Sequence, residues 1–465
     1  MLGNIILKEI HHHVLSLRLH LTLALVLLLF GLGTLAYIKG HAAEQEQYAS
    51  WRNKTIENYR QTAEDNLSEY AIRNKNLILA PRGNAFLTDA REKYLPNQFN
   101  YSAYNVFGFG VKRGAANDYM ESFQELNWAF IVALIISFAV LLFTYDCVSG
   151  EKEARTLAIS LSNSVPRGVL LFGKYISAVL VTLLVLTPGF ALSLVILIIS
   201  GVVAVNAATL AEVGGFLAAT GLLVCCMAAF GLLVSTASKH SNVSLLGALC
   251  LWLGFVVVVP NTVQFWTDKL FPIDSAAVVS ERISQAKKEL RDNAPDGAWS
   301  SHPNEPFYPK HELRAIEQMK HLLSEKKFND QYTNDMMYQY ERARALTWVS
   351  PVALFEHLTE AVSGGGYPRM RKVWDDLHSH QAQLLAWFKD IDAADDKSPH
   401  WYNPRENYST TLKGVSWETV PQFAEGKLSA TERLGAASIA LVLLVVFTAV
   451  AFGLSFVLFL RYDVR

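Results

Sequence analysis

Six long apolar runs dominate the sequence and restrict the folds it can adopt. The runs are Leu21–Ile38, Trp128–Thr144, Ile176–Ser200, Gly214–Thr236, Val243–Val259 and Leu434–Leu460. Each is close to the roughly 20 residues that a helix needs to cross a bilayer, and longer than a barrel strand. Because lipid cannot hydrogen-bond to the backbone, a crossing segment of this length satisfies its own peptide groups as a helix. The sequence therefore predicts an all-α membrane protein with six transmembrane helices, spans 1 to 6.

The composition agrees with this class and narrows the possible partners. Hydrophobic residues make up 51% of the chain, and the formal net charge is −1. Such a chain is too apolar for an ordinary soluble domain. Without a basic excess, nucleic acid is not expected as a partner. The cysteines lie in or beside apolar runs, at Cys147, Cys225, Cys226 and Cys250. The long polar stretches therefore hold no disulfide, which fits either the cytosol or a bacterial periplasm.

The first of two long polar stretches covers residues 43–125. From Trp51 to Leu77 its apolar residues recur near helical spacing, which predicts one or two amphipathic helices. An aromatic string follows, from Phe99 to Phe109. Because aromatic side chains favour the membrane interface, this string predicts a loop that lies against it.

The second polar stretch, residues 264–432, also carries helical patterns. Apolar residues recur at helical spacing within Val278–Leu290, His311–Leu346 and Met370–Ile391. Gly364-Gly365-Gly366 predicts a hinge or a tight turn. Together the two polar stretches are long enough to bury a core. We therefore expect one inserted α-helical domain built from both.

The basic residues of the short connections fall on one side of a six-span arrangement. They are Lys8, Arg18, Lys152, Arg155, Arg167, Lys174, Lys239, Arg461 and Arg465. Short connections rich in Lys and Arg usually face the cytoplasm. We therefore expect a multi-pass protein of the bacterial inner membrane, with both termini cytoplasmic and the inserted domain extracytoplasmic. The predicted divisions are residues 1–42 (interfacial helix and span 1), 43–125 (first extracytoplasmic segment), 126–263 (spans 2 to 5), 264–432 (second extracytoplasmic segment) and 433–465 (span 6 and tail).

The amino-terminal stretch Met1–His20 is amphipathic and contains His11, His12 and His13. Three histidines suggest a metal site, but adjacent positions on a helix point in different directions, which disfavours a shared ion. The pattern favours an interfacial helix that leads into the bilayer and contacts membrane lipid.

The connection between spans 2 and 3, Tyr145–Tyr175, is the most informative part of the chain. A charged turn, Ser149–Thr156, opens it. Leu157, Leu161 and Val165 then recur every fourth residue, so they share one helical face, and Pro166 ends the run. A short amphipathic helix at a membrane surface suits insertion into a groove on a soluble partner.

This connection resembles the permease subunit of ABC-2 type transporters. The matching residues, in order, are Asp146, Ser149-Gly150-Glu151-Lys152-Glu153, Arg155-Thr156-Leu157, Pro166-Arg167 and Gly173-Lys174. The family often has Gly where this chain has Arg155, and its Ser-x-Pro lies earlier than Pro166. The resemblance implies that residues 149–165, named here the 149–165 segment, form a cytoplasmic coupling helix that contacts a separate ATPase. It assigns the ATPase-coupling contacts to Ser149, Gly150, Glu151, Lys152, Glu153, Arg155, Thr156, Leu157 and Leu161.

The resemblance also implies two permease subunits, identical or sister chains, and two ATPase subunits that carry ATP and Mg²⁺. This chain would then be no enzyme and hold no cofactor. Its stretch Gly168–Lys174 fits most of a P-loop, but Tyr175 replaces the Ser or Thr that binds magnesium. Spans 2 to 6 have no Asp, Lys or Arg in their middles, unlike most ion-coupled carriers. Export of a hydrophobic, peptide or lipid-like substrate is expected.

Other functions compete with the permease hypothesis. The chain could be a membrane-anchored scaffold or receptor, or a mechanotransmitter that acts on a periplasmic or envelope partner without transport. Glu151 and Glu153 are more typical of a solvated or partner-facing charge cluster than of acid–base catalysis. His378 and His380 point apart on a helix, so neither a catalytic nor a metal site is expected.

Overall fold

The computed structural model describes residues 2–90, 92, 95–110, 126–162, 166–299, 311–394 and 414–462. Within these residues, six helices are long and apolar enough to cross a membrane. Spans 1 to 6 are Leu17–Asp65, Trp128–Glu153, Arg167–Ile199, Ala207–Ala237, Ser241–Leu270 and Ala430–Arg461. The prediction of an all-α, multi-pass membrane protein with six transmembrane helices is therefore confirmed. A further helix, Leu2–Val14, precedes span 1 and packs along span 3.

Span 1 continues well past its apolar run. It is one helix of 49 residues, capped at its start by Ser16, whose side chain accepts the Leu19 amide. At 1.5 Å per residue it is about 70 Å long, whereas the hydrocarbon core is about 30 Å thick. Its second half therefore lies beyond the membrane. The predicted boundary at residue 42 falls inside a continuous helix.

Spans 2 and 5 each contain a π-helical turn. Span 2 begins as Trp128–Phe130, becomes π-helical over Ile131–Ile136 and continues as Ser137–Thr144. In span 5 the π-turn is Gly254–Val258, and it precedes Pro260, which has no N–H to donate to the helix. The Ser350 hydroxyl, at the start of the helix Pro351–Ser363, donates to the carbonyl of Phe255 at 2.8 Å, so that helix supports this turn.

The polar domain, formed by the described residues within 66–110, 271–350, 364–394 and 414–429, is mostly helical. Its helices are Leu67–Ile72, Ala276–Asp292, His311–Leu346 and Gly366–Ala393, whereas Pro351–Ser363 packs against spans 4 and 6 in the core among the spans. A small antiparallel sheet, in the order β1-β2-β3, joins Lys75–Ile78, Gln98–Tyr101 and Val106–Gly110. In its register Lys75 pairs with Tyr101 and Leu77 with Phe99.

The aromatic string does not form the expected interfacial loop. Phe99 is fully buried, and its ring packs against Trp374. Tyr104 is buried against Phe388. These rings belong to the polar domain's own core, which is separate from the core among the spans. The alternation of aromatic and polar residues thus reflects a strand with one buried face.

A polar junction, named here the Glu212 junction, fastens the polar domain to the first turns of spans 4 and 6. Glu212 of span 4 receives bonds from Arg433 of span 6 at 2.9 Å and from Asn84 at 2.8 Å. Arg433 also donates to the carbonyl of Val362, and Asn84 to that of Ser363. Gly364 follows at φ +66°, and a Cβ there would lie 2.8 Å from the Arg433 guanidinium. The triple glycine is therefore a packed tight turn rather than a hinge.

Candidate functional site

The described part of the 149–165 segment, residues 149–162, forms two short helices rather than one. Ser149–Glu153 is the first and Thr156–Ser162 the second. Arg155 lies between them at φ +56°, in the left-handed region. That conformation costs a residue other than glycine about 1–2 kcal/mol. It gives a physical reason for the glycine that the resembled family often has at this position.

The first helix starts on a hydroxyl of span 4. Ser235 Oγ accepts the amides of Val148 and Ser149, both at 3.0 Å. The Ser149 hydroxyl donates to the carbonyl of Tyr145 at 2.8 Å. Both serines are fully buried. Because the first amides of a helix have no partner within it, Ser235 supplies the acceptor that this start requires.

Lys152 and Glu153 contact the neighbouring ends of spans 4 and 5. Lys152 Nζ donates to the carbonyls of Thr236 and Ser238, at 2.5 and 3.1 Å, where span 4 ends. A Glu153 carboxylate oxygen accepts the amide of Ser241, at 2.9 Å, where span 5 begins. A cation at a helix carboxyl end and an anion at an amino end both stabilise the helix dipole.

Two further ion pairs attach this region to spans 1 and 3. Arg18 of span 1 pairs with Asp146 at 2.7 Å and lies over the ring of Tyr145. Lys174 of span 3 pairs with Glu151 at 2.8 Å and with Glu9 of the first helix at 3.1 Å. Glu151 is therefore a paired rather than a solvated charge, because its carboxylate is largely buried against Lys174.

Residues 146–153 thus contact spans 1, 3, 4 and 5 at one end of the bundle, and the turn after them faces outward. Glu153, Ala154, Arg155, Thr156 and Ala158 are exposed. Ile159 is 67% exposed, whereas Leu157 is 2% exposed and packs in the core among the spans. Of the predicted apolar face only the Leu157 side chain is described, and it occupies this chain's own core.

The remaining predicted positions fall in different surroundings. A Cβ at Gly150 would make an ordinary contact with Asp146 at 3.5 Å, so sterics do not require glycine there. The backbone of Leu161 lies in the second helix, and its side chain, like all of Val165, falls outside the described residues. Sequence reasoning missed Glu9, Ser235 and Ile159. Only Ile159 left a signal, as an apolar residue off the Leu157 face.

The other candidate motifs have packing explanations. Gly168–Lys174 lies within the helix of span 3 and is therefore not a phosphate-binding loop. His378 bonds to Asp330, while His380 packs between Tyr101 and Phe423. Among the residues that the structure describes, no three His, Cys, Asp or Glu side chains are placed to share a metal ion.

Comparisons with known proteins place the chain among transporter proteins. A family model described as ABC-2 family transporter protein matches residues 3–464. A relative from Pseudomonas aeruginosa, described as the probable ABC transporter permease protein NosY, is 31% identical over 129 residues. The match covers 28% of this chain and 46% of the relative, so the chain spans about half of that protein's length.

Proposed function

This chain belongs to the ABC-2 family of transporter proteins, and we propose that it is a permease subunit driven by a separate ATPase through the 149–165 segment. One observation carries the proposal. Charged and hydroxyl groups in residues 146–153 contact four of the other five spans at one end of the bundle. A force applied to this segment therefore reaches spans 3, 4 and 5 directly, and span 1 through Asp146, three residues before it.

The exposed turn, Ala154–Ile159, has the chemistry of a docking site for a soluble protein. Arg155 is exposed, and because arginine is enriched at protein interfaces its charge can pair across one. Ile159 supplies an apolar anchor with two-thirds of its surface uncovered. Leu157 packs in the core among the spans and thereby attaches the second helix to the bundle. In this proposal the partner is an ATPase with a complete P-loop, and that partner holds ATP and Mg²⁺.

The basic residues near this end support a cytoplasmic position for it, in the bacterial inner membrane, with both termini inside. The polar domain would then be extracytoplasmic. Spans 5 and 6 leave large apolar side chains uncovered, among them Leu246, Val258 and Val446. Lipid and a second permease subunit, identical or a sister chain, would cover these surfaces. Export of a hydrophobic, peptide or lipid-like substrate completes the proposal.

Replacing Ile159 by Asp tests the docking turn. Burying an isoleucine contributes about 1.5–3 kcal/mol, and the two-thirds that is exposed here is worth about 1–2 kcal/mol. Since about 1.4 kcal/mol changes an equilibrium constant tenfold, affinity for the ATPase should fall roughly 5- to 30-fold. The variant would be purified from native membranes, and the copurified ATPase and its rate of ATP hydrolysis measured.

Ile199→Asp is the matched control for this test. Ile199 is 80% exposed and lies at the opposite end of the bundle, next to the turn that follows span 3. This variant should keep the wild-type amount of ATPase. Equal retention of the ATPase by both variants would contradict the proposed docking turn.

The Glu212 junction favours a second candidate, in which the protein transmits movement to an envelope partner without transport. Arg433 and Asn84 join spans 4 and 6 to the polar domain through Glu212, and span 1 enters that domain as an unbroken helix. If this candidate is right, hydrogen exchange in Gly366–Ala393 should change when the complex binds ATP. Arg433→Gln should reduce that change severalfold while ATP hydrolysis continues. An ATP response that is absent in the wild type would count against the candidate.

A further inference from the structure

Gly173 and Lys174 have a role that their P-loop-like spacing conceals. They lie in the first turns of span 3, where the helix Leu2–Val14 packs on it. A Cβ at Gly173 would come within 2.7 Å of Ile5 Cγ2 and 3.5 Å of Leu2 Cδ1. Any side chain at this position would therefore push the amino-terminal helix away from span 3. The glycine is needed for a close approach of two helices rather than for phosphate binding.

Lys174 joins that helix to the 149–165 segment. Its ammonium is 2% exposed and donates to Glu9 Oε1 and to Glu151 Oε1. Three elements, Leu2–Val14, span 3 and Ser149–Glu153, thus meet at one buried cation. Because the two carboxylates are themselves largely buried, moving the ammonium away from one of them would leave that carboxylate without its partner, which is unfavourable.

Other buried groups surround this link between the three elements. The cluster has two carboxylates for one ammonium, and Glu151 Oε2 is buried without a hydrogen-bond partner in the described part of the chain. His13 and Cys147 are buried close by, while Asp146 is paired with Arg18. His13 also contacts the ring of Phe143 in span 2. The amino-terminal helix is therefore fixed to the bundle just behind the docking turn.

We propose that Lys174 is a positioning residue through which the amino-terminal helix, Leu2–Val14, moves together with the 149–165 segment when the ATPase binds nucleotide. This inference rests on the proposed function. In this inference the helix Leu2–Val14 moves during coupling to the ATPase and is more than an interfacial anchor. Sliding the 149–165 segment relative to span 3 would break a buried ion pair, so the three elements shift as one unit.

Hydrogen exchange of the whole complex tests this inference. The complex would be purified from native membranes with its ATPase and compared with and without a non-hydrolysable ATP analogue and Mg²⁺. In the wild type, nucleotide should change exchange in both residues 2–14 and residues 149–162. Glu9→Gln removes one link but leaves Lys174 paired with Glu151, so the protein should fold. The nucleotide response of residues 2–14 should then fall at least fivefold, while that of residues 149–162 and ATPase binding stay within twofold.

Two more variants separate positioning from mere structural support. Lys174→Arg should keep the response of both regions, whereas Lys174→Met should abolish that of residues 2–14. Glu57→Gln is a control, because Glu57 forms an exposed ion pair with Arg60 far from this site. A wild-type response of residues 2–14 in Glu9→Gln would overturn the inference, as would loss of ATPase binding in that variant. A nucleotide response confined to residues 149–162 in the wild type would overturn it and leave the proposed function intact. Absence of any ATPase from the purified complex would overturn both.

Discussion

The hydroxyl of Ser235 is the acceptor that holds the start of the 149–165 segment on span 4. It receives the buried amides of Val148 and Ser149. In Ser235→Ala both amides lose this acceptor while they remain shielded from water. A buried donor left without a partner costs about 1–3 kcal/mol. For the two amides together, the stability of the segment should therefore fall by about 2–6 kcal/mol. At about 1.4 kcal/mol per factor of ten, local opening of the segment should rise at least tenfold.

Hydrogen exchange of peptides that cover residues 145–153 measures this opening in the purified protein. The control is Ser438→Ala, because Ser438 is exposed and its hydroxyl bonds only to the carbonyl of Gly435 among the contacts described. This change should stay within about 0.5 kcal/mol of the wild type. Unchanged exchange in Ser235→Ala would refute the reasoning, since it would show that span 4 does not hold the segment.

Three further predictions concern backbone strain and pH. Arg155→Val should destabilise the second helix by about 1–2 kcal/mol more than Arg155→Gly, because a β-branched residue is poorly suited to φ +56°; exchange in residues 156–162 measures it. Gly364→Ala should lower the thermal unfolding temperature, whereas Gly435→Ala, whose Cβ would meet nothing within 4 Å, should not. Burial, and then the nearby Lys75 charge, lowers the pKa of His380 to about 4. Its folded pKa lies below the unfolded value, so it stabilises the polar domain above pH about 6.5 and loses this contribution as the pH falls to about 4. Between these pH values the free energy of unfolding should depend less on pH in His380→Phe than in the wild type.

The apolar runs predicted the spans because a segment that crosses the bilayer must hydrogen-bond its own peptide groups, and a helix does this. Where a span meets water, that constraint ends. Lys39 and Gly40 follow the apolar run in the order that usually marks a helix end, yet span 1 continues to Asp65. The strand Gln98–Tyr101 was missed because its aromatic residues suit a membrane interface as well as a protein core.

The sequence predicted which stretch of the chain forms the candidate site, but not which residues from other helices contact it. Helical spacing placed Leu157 on an apolar face, yet it cannot say whether that face meets a partner or the chain's own core. Lys174 and Glu9 are 165 residues apart, and their pairing depends on how the amino-terminal helix packs against span 3. The hydroxyl of Ser235 likewise gains its role only from the position of span 4. Such long-range contacts leave no local pattern.

Photo-crosslinking from Ala154 tests the central claim most directly. This residue is exposed in the turn before Arg155, so a photoreactive amino acid there lies at the proposed ATPase contact. In native membranes we predict capture of a protein that contains a complete G-x-x-x-x-G-K-[ST] sequence, identified by mass spectrometry. Capture of lipid alone, or labelling of residue 154 by an impermeant reagent from outside the cell, would contradict the account.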